Sequence, residues 1–169
     1  DSPTTCGRTL EGHTSPIYGL AVTSDQQHVV SGSVDSTLKV WDATTWECKQ
    51  TLQTGGSWIF SCLVHGDTLF AGLDDGKILL YDTTTWTLQR TLEGHTGFVW
   101  TLTMCGDLLA SGSYDNTIKL WNTATGACER TLEGHTSWAL TLVPGGDLLI
   151  SGSSDHTIKV GSTASWTGQ

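Results

Sequence analysis

A block of twelve residues returns every 40 positions along this chain of 169 residues. Its four versions are "SGSVDSTLKVWD" at 31–42, "AGLDDGKILLYD" at 71–82, "SGSYDNTIKLWN" at 111–122 and "SGSSDHTIKVGS" at 151–162. Self-similarity at a fixed period of this size indicates a repeat architecture, in which each unit buries its apolar face against its neighbours. The sequence therefore predicts one domain over 1–169, with repeats at approximately 11–52, 53–92, 93–132 and 133–169.

Each unit has the pattern of four short strands, which we call a, b, c and d in chain order. In the third unit, β-branched and apolar runs separated by turn residues predict strands over about 98–104, 108–113, 117–122 and 127–132. The Asp-led dipeptides between strands b and c favour tight hairpins with a residue at positive φ. Four antiparallel strands in 40 residues are typical of one blade of an all-β propeller.

Two dipeptides recur in phase with these strands. Gly-His stands at 12–13, 94–95 and 134–135, and strand c ends in Trp-Asp at 41–42, Tyr-Asp at 81–82 and Trp-Asn at 121–122. In these features the whole chain resembles the WD-repeat family of β-propellers. The resemblance implies four four-stranded blades in this chain. Because such propellers usually have seven or eight blades, three arrangements stay open: a closed four-bladed ring, half of an eight-bladed ring built from two chains, or a fragment of a longer propeller.

Ser, His and Asp recur together in three units, and they are the residue types of a serine hydrolase triad. An active site needs one exposed nucleophile, whereas here the set is repeated at the same phase and is joined by a Trp in two units. A hydrogen-bonded chain from Trp through Ser and His to Asp uses every donor and acceptor, and the resemblance implies the same structural tetrad. The expected members are His13, Ser31, Asp35 and Trp41; His95, Ser111, Asp115 and Trp121; and His135, Ser151 and Asp155.

The second and fourth units depart from this pattern. The second has Gly55, Ala71 and Tyr81 in place of His, Ser and Trp, and the fourth has Gly161 in place of Trp. These two blades are therefore expected to lack part of the hydrogen-bond network. Spacing alone does not decide which Ser of each Ser-Gly-Ser belongs to the tetrad.

Two positions of strand a vary too much for a repeated core site. One carries Pro16, Trp58, Phe98 and Trp138, and the other carries Tyr18, Phe60, Trp100 and Leu140. Packed interiors tolerate little change in volume. The resemblance implies that these positions, with the residue before each b–c turn Asp (Val34, Asp74, Tyr114 and Ser154), lie on the top face around the channel and contact peptide ligands. The expected partner-binding residues are Tyr18, Trp58, Phe60, Asp74, Phe98, Trp100, Tyr114 and Trp138; in the alternative, several rings only fill gaps between blades.

Other side chains recur at the opposite end and along the rim. Trp46, Trp86 and Trp166 stand in the c–d turns, where they either cap strand edges or form a second contact patch. Arg8, Arg90 and Arg130 share a strand-d position and are expected on a solvated outer rim, too far apart to hold a phosphate.

The chain starts in phase with a strand d. Residues 6–10 align with 48–52 and 128–132, so a strand over 5–10 is predicted to complete the last blade. We expect two chains to join head to tail in this way, as a homodimer with eight blades.

The amino-acid composition restricts the classes of partner that this protein is expected to bind. With 17 acidic and 8 basic residues the formal charge is -9, which argues against nucleic acid and membrane surfaces. Five cysteines without a Cys-x-x-Cys pair predict neither a disulfide framework nor a metal site, and they favour a cytoplasmic location, with the nucleus also compatible. No cofactor is expected. The predicted function is a non-catalytic scaffold for protein or peptide partners; the alternatives are a substrate-receptor propeller of a ubiquitin ligase and, from another class, a serine hydrolase built on one tetrad.

Overall fold

The computed structural model describes residues 7–163, which form antiparallel strands in four sheets. The strands are β1 (Ile17–Val22), β2 (His28–Ser33), β3 (Thr37–Asp42), β4 (Cys48–Gln53), β5 (Ile59–His65), β6 (Thr68–Leu73), β7 (Ile78–Asp82), β8 (Leu88–Leu92), β9 (Val99–Cys105), β10 (Leu108–Ser113), β11 (Ile118–Asn122), β12 (Cys128–Leu132), β13 (Ala139–Gly145), β14 (Leu148–Ser153) and β15 (Ile158–Ser162). Within residues 7–163 there is no helix long and apolar enough to cross a membrane.

Each sheet is one repeat, so the sheets are blades. Blades 1, 2 and 3 each contain four consecutive strands in sequence order, and blade 4 contains β13, β14 and β15. The strands predicted for the third unit agree with β9 to β12 within one residue at each end. The b–c hairpins contain the expected residue at positive φ, and these residues are Ser36, Gly76, Asn116 and His156.

The core of this molecule lies between blades rather than inside any one of them. Strand a of each blade packs beside strand a of the next, as β1 with β5, β5 with β9 and β9 with β13. A separate apolar cluster fills each junction: one contains Val40 and Ile59, the next contains Leu80 and Trp121, and the third contains Leu120 and Ala139. Every inner blade is therefore stabilised by two neighbours.

The two end blades leave apolar surface uncovered. Among residues 7–163 the main packing between strands runs from blade 1 to blade 2, from blade 2 to blade 3 and from blade 3 to blade 4, and the four blades form an open arc. Ile17 is 47% exposed whereas Ile59, at the same position of the next blade, is 0% exposed. At the other end Ile158 is 74% exposed and its counterpart Ile118 is 3% exposed.

The strand predicted over 5–10 lies partly outside the described residues. Its described part, 7–10, forms no strand, and the sheet of blade 4 has three strands. The outer edge of β15 is therefore without a neighbouring strand from residues 7–163.

Candidate functional site

The tetrad of blade 3 is a continuous chain of hydrogen bonds. Trp121 Nε1 donates to Ser111 Oγ at 2.8 Å. Ser111 Oγ lies 2.7 Å from His95 Nε2, and His95 Nδ1 lies 2.7 Å from Asp115 Oδ2. Because an indole N–H can only donate, Ser111 donates its own proton to His95, and His95 donates to Asp115. The chain ties strand c and strand b to the turn before strand a.

The same chain recurs in blades 1 and 4 with one difference. In blade 1, His13 lies 2.7 Å from Ser31 Oγ, and Trp41 donates to the same oxygen at 2.8 Å. In blade 4, His135 lies 2.8 Å from Ser151 Oγ and 2.8 Å from Asp155 Oδ2. With Gly161 in place of Trp, this position has no indole to donate to Ser151.

The Asp of each tetrad is held as a carboxylate. Burial alone would raise the pKa of Asp35, but hydrogen bonds from Thr37, from the Thr14 backbone N–H and from His13 outweigh it and lower the pKa to about 2. For Asp115, likewise, hydrogen bonds outweigh burial and the pKa lies below its usual range. The pKa of Asp155 is also lowered, mainly by the hydroxyl of Thr157.

The structure identifies which Ser of each Ser-Gly-Ser belongs to the tetrad. It is the first, at positions 31, 111 and 151. The second Ser binds the backbone instead, since Ser33 Oγ donates to Ser15 O at 3.0 Å and accepts the backbone N–H of Asp35 at 3.0 Å. Both hydroxyls therefore fix the turn that precedes strand a.

A threonine that the sequence analysis did not single out completes each network. Thr37 Oγ1 donates to Asp35 Oδ1 at 2.6 Å, and Thr117 and Thr157 make the same bond at 2.6 Å. The signal was available, because Thr occupies this position in the three units that have the His and is replaced by Lys77 in the unit that lacks it.

Blade 2 replaces the tetrad with a smaller set of contacts. Ser57 donates to Asp75 at 3.2 Å, and Lys77 pairs with the same carboxylate at 3.4 Å. Tyr81 is buried in the core between blades 1 and 2, and this burial raises the pKa of its hydroxyl. The blade therefore relies on apolar packing where its neighbours use hydrogen bonds.

At the top of the arc, seven aromatic rings form one connected cluster, which we call the aromatic face: Tyr18, Trp58, Phe60, Phe98, Trp100, Tyr114 and Trp138. A stacked column crosses three blades. Its ring centroids are 5.0 Å apart from Phe60 to Phe98, 5.1 Å from Phe98 to Tyr114 and 4.2 Å from Tyr114 to Trp138, with interplanar angles of 13°, 17° and 10°. Rings from blades 1 to 4 are thus in one surface.

Exposure differs along this face. Tyr18, Trp58 and Trp138 are about half exposed, and Phe98, Trp100 and Tyr114 are partly buried. Phe60 is buried, because rings of Tyr18, Trp58, Phe98 and Trp100 surround it. The three half-exposed rings can contact a partner directly, whereas Phe60 packs against two of them, Tyr18 and Trp58.

Asp74 lies at the rim of this face. Its Oδ1 accepts the backbone N–H of Trp58 at 3.0 Å, and its backbone N–H donates to Trp58 O at 3.0 Å. A carboxylate is therefore fixed next to an exposed indole. The remaining positions implied by the resemblance, Val34, Leu140 and Ser154, are partly buried.

At the opposite end of the described residues, the indoles of Trp46 and Trp86 differ in burial. Trp86 packs against the core between blades 1 and 2 with its ring edge-on to His28 at 5.7 Å, and Trp46 is exposed. Trp166 lies outside the described residues.

Arg90 is exposed but not simply solvated. Its guanidinium donates to Thr125 O at 2.8 Å and to Ala124 O at 2.9 Å, across the junction with blade 3. Arg8 likewise donates to Thr45 O at 3.3 Å. The missed signal is the pairing of Arg90 with Gly126, since a Cβ at Gly126 would meet Arg90 Nη1 at 2.9 Å.

Metal ligation is not indicated anywhere in the described part of the chain. Residues 7–163 contain no group of three or more His, Cys, Asp or Glu side chains that could hold a metal ion.

A family model described as "WD domain, G-beta repeat" matches residues 4–42, 86–122 and 126–160. The chain belongs to the WD-repeat family. Most of the second blade, which lacks the His, Ser and Trp of the tetrad, lies outside the matched residues. Over 57 residues, or 34% of its length, the chain is 37% identical to the guanine nucleotide-binding protein subunit beta of Arabidopsis thaliana, and this match covers 15% of that relative.

Two solved structures match most of the chain. It is 31% identical to the computationally designed Ika4 protein, with a TM-score of 0.82 over 91% of this chain and 95% of that one. It is 32% identical to the computationally designed Ika8 protein, with a TM-score of 0.83 over 91% of this chain and 48% of that one. The chain therefore spans about half of the second structure.

Proposed function

We propose that this WD-repeat chain is a non-catalytic platform that binds a protein or peptide partner through its aromatic face. The observation that carries the proposal is the joining of seven rings from four blades into one surface with half-exposed rings at Tyr18, Trp58 and Trp138. Large exposed aromatics are the residues that most often dominate binding energy at interfaces. A cytoplasmic or nuclear location remains part of this proposal.

The chemistry of the face favours a cationic side chain. Asp74 is fixed beside Trp58, and the whole chain has a formal charge of -9. An Arg, Lys or methylated Lys side chain would be attracted by both the carboxylate and the faces of the indoles.

Peptide binding tests this proposal. Fluorescent peptides that carry Arg, Lys or trimethyllysine at one position are compared with the same peptides carrying Gln. We expect Trp58→Ala or Trp138→Ala to weaken binding of the cationic peptides about tenfold or more, because truncation of a central aromatic costs about 2 kcal/mol. Trp46→Ala is the matched control, since Trp46 is an exposed indole at the opposite end. Equal binding by the two Trp variants and the control, at unchanged Tm, would contradict the proposal.

We also propose that two copies assemble head to tail into an eight-bladed ring. Both ends of the arc expose apolar residues that are covered at the inner junctions, and uncovered sheet edges promote association. Arg8 contacts the c–d turn of blade 1 through Thr45 O, as Arg90 of β8 contacts the c–d turn of blade 3. Residues 7–10 therefore lie where strand d of a preceding blade would lie.

Internal symmetry predicts the register of this junction. Leu38 pairs with Leu52 and Ile118 with Leu132, so Ile158 of one copy should pair with Leu10 of the other. Lys39 and Lys119 donate to Thr51 and Thr131 at 3.0 and 2.8 Å. By the same rule, Lys159 should donate to Thr9 of the second copy.

Disulfide trapping separates the possible assemblies. A Thr9→Cys chain is mixed with a Lys159→Cys chain. Positions 9 and 159 are chosen because directly opposed residues of paired strands are close enough for a disulfide. In both chains Cys6, Cys48 and Cys128 are changed to Ser. We expect a covalent pair of the two chains on a non-reducing gel and a native mass of two copies. Replacement of Lys159→Cys by Val160→Cys should abolish trapping, since neighbouring side chains point to opposite faces.

Two results would overturn the ring. A doubly substituted chain that crosslinks within a monomer would show that four blades close alone. Absence of any crosslink, with a native mass of one copy, would show that the second copy is not the partner of β15. Neither result bears on peptide binding by the aromatic face.

Catalysis by a tetrad is disfavoured by two observations. Ser31, Ser111 and Ser151 are buried, and the first two accept an indole N–H. A serine nucleophile has to be exposed to substrate. Labelling of one of these serines by a fluorophosphonate probe would contradict the non-catalytic proposal.

A further inference from the structure

A cleft of about 310 Å³ lies between blades 1 and 2, at the end of the arc opposite the aromatic face. Its volume is at the lower end of the range typical of small-ligand sites. Its lining includes Thr23, Asp25, His28, Asp67 and the c–d turn residues Thr84 and Trp86. None of these lining residues is Lys or Arg. His28 is the basic side chain among them, and its charge interaction with Asp25 contributes to the lowered pKa of that carboxyl.

One wall of the cleft is built by an insertion that the other blades lack. Five residues, 23–27, connect β1 to β2, whereas two residues, 66–67, connect β5 to β6. Thr23 Oγ1 donates to Asp25 Oδ1 at 2.6 Å, and Ser24 Oγ donates to Gly66 O at 2.7 Å across the junction. The inserted loop is therefore held in place by hydrogen bonds, one of them to blade 2.

The opposite wall is Trp86. It has a φ of 57°, a left-handed conformation that is unfavourable for a bulky side chain. Its ring packs against the core and lies edge-on to His28 at an interplanar angle of 80°. The c–d turn gives Trp46 the same left-handed conformation, at a φ of 64°, so Trp86 is distinguished by lining the cleft and not by its backbone. Indole faces attract organic cations.

The acids of the cleft are suited to a cation. The Thr23 hydroxyl and the Gln27 backbone N–H lower the pKa of Asp25, so this carboxylate is ionised at neutral pH. Both of these hydrogen bonds are accepted by Oδ1, which leaves Oδ2 to accept a hydrogen bond from a ligand. Asp67 adds a second carboxylate, and Thr84 adds an exposed hydroxyl.

The next junction of the same chain provides an internal comparison. There, Gly126 stands at the position of Trp86, and the Arg90 guanidinium donates to the carbonyls of this c–d turn. At the first junction the residue equivalent to Arg90 is Gln50, which is neutral. The chain thus places its own cation against the c–d turn of blade 3, and at the matching turn of blade 2 it has instead an acidic cleft with an aromatic wall.

We propose that this cleft binds a guanidinium or primary ammonium head group, as carried by Arg and Lys side chains, between the Trp86 indole and the carboxylates of Asp25 and Asp67. This site is separate from the aromatic face, and its binding does not depend on that face. A primary ammonium has three protons to donate, and the two carboxylates and the hydroxyl of Thr84 can accept them.

Nuclear magnetic resonance of the indole N–H groups tests the site. Methylguanidinium and n-butylammonium are titrated into ¹⁵N-labelled protein, and the Trp86 resonance is assigned with Trp86→Phe. We expect a saturable shift of this resonance, absent with n-butanol and weakened by salt because the attraction is between charges. Asp25→Asn should weaken the binding about tenfold, and Asp107→Asn, which removes an exposed turn carboxylate of blade 3, should leave it unchanged.

A double variant distinguishes loss of binding from loss of folding. Gln50→Arg with Trp86→Gly reproduces the arrangement of the next junction, so it should keep the fold and lose binding of both probes. A linear, unsaturable response, an equal response to n-butanol, or unchanged binding in the double variant would overturn the proposal. Affinity of the aromatic face for cationic peptides should be the same in all of these variants.

Discussion

The indole nitrogen of Trp121 lies 2.8 Å from Ser111 Oγ, inside a core where Trp121 has no exposed surface. This hydrogen bond fixes the donor and acceptor roles of the repeated Ser, His and Asp. Because the Ser oxygen accepts from the indole, its proton is directed to His95, and the His is directed to Asp115. The network holds a turn in place at each blade where it is complete.

Replacement of Trp121 by Phe should lower the free energy of unfolding by about 2 kcal/mol, because it removes a buried hydrogen bond and leaves a small cavity. Urea unfolding measures the change. Tyr81→Phe is the matched control, since Tyr81 holds the same position in blade 2 without a tetrad, and it should cost less than about 1 kcal/mol. Equal losses in the two variants would mean that the bond to Ser111 contributes nothing.

Gly161→Trp should stabilise blade 4. In blades 1 and 3 the Trp ring lies under the Gly of the Gly-His pair, where Cβ atoms built on Gly12 and Gly94 would be 3.3 and 3.1 Å from it. At Gly134 the nearest atoms belong to Lys159 instead. An added indole can donate to Ser151, for a gain of about 1 kcal/mol, which a rise in Tm would report. An unchanged or lower Tm would contradict the expectation.

The periodicity of the sequence was sufficient to predict the strands, the positive-φ hairpins and the residue types of the tetrad, because each is determined within one unit. What it could not predict depends on a neighbouring blade. Ile17 and Leu20 are in core positions by phase, yet both are exposed because the apolar clusters between blades within residues 7–163 do not cover that side of blade 1. Phe60 is buried because rings from blades 1 and 3 reach it. The aromatic face as a binding surface stays a prediction.

Acid should unfold the protein partly through the tetrad carboxylates. The pKa of Asp35 is lowered from 3.8 to about 2 in the fold, so its stabilising contribution is complete above 3.8 and is lost as the pH falls through about 2. Asp35→Asn should therefore show a smaller fall in the urea midpoint across that interval. Asp107→Asn carries the same change of charge in an exposed turn and should follow the parent protein. If both variants follow it, the Asp35 network does not contribute to acid stability.

Gly32→Ala should be strongly destabilising, because its Cβ would meet Ile59 Cγ2 at 2.5 Å and Cys62 Sγ at 2.9 Å in the next blade. A loss of about 1–3 kcal/mol is typical of such overpacking. Gly152→Ala is the comparison: the same position in blade 4 would meet only Thr141 of its own blade, at 2.7 Å. Calorimetry of the two variants should show the larger fall in Tm for Gly32→Ala. Similar falls would mean that contact across the blade junction is not what requires glycine.

The contact between Arg90 and the backbone carbonyl of Thr125 also depends on a neighbouring blade, so a single repeat could not predict it. Arg90 and Gly126 are in different repeats and neither is unusual alone. Only the packing of one blade on the next reveals that the guanidinium of Arg90 lies against Gly126.

The stacked column from Phe60 to Trp138 has an optical consequence. Its rings are nearly parallel, 4.2 to 5.1 Å apart, and belong to three blades. Transition dipoles at such separations couple, so the circular dichroism of this protein should contain an aromatic contribution whose size depends on the angle between blades. The aromatic signal therefore reports the relative orientation of the blades without an added label.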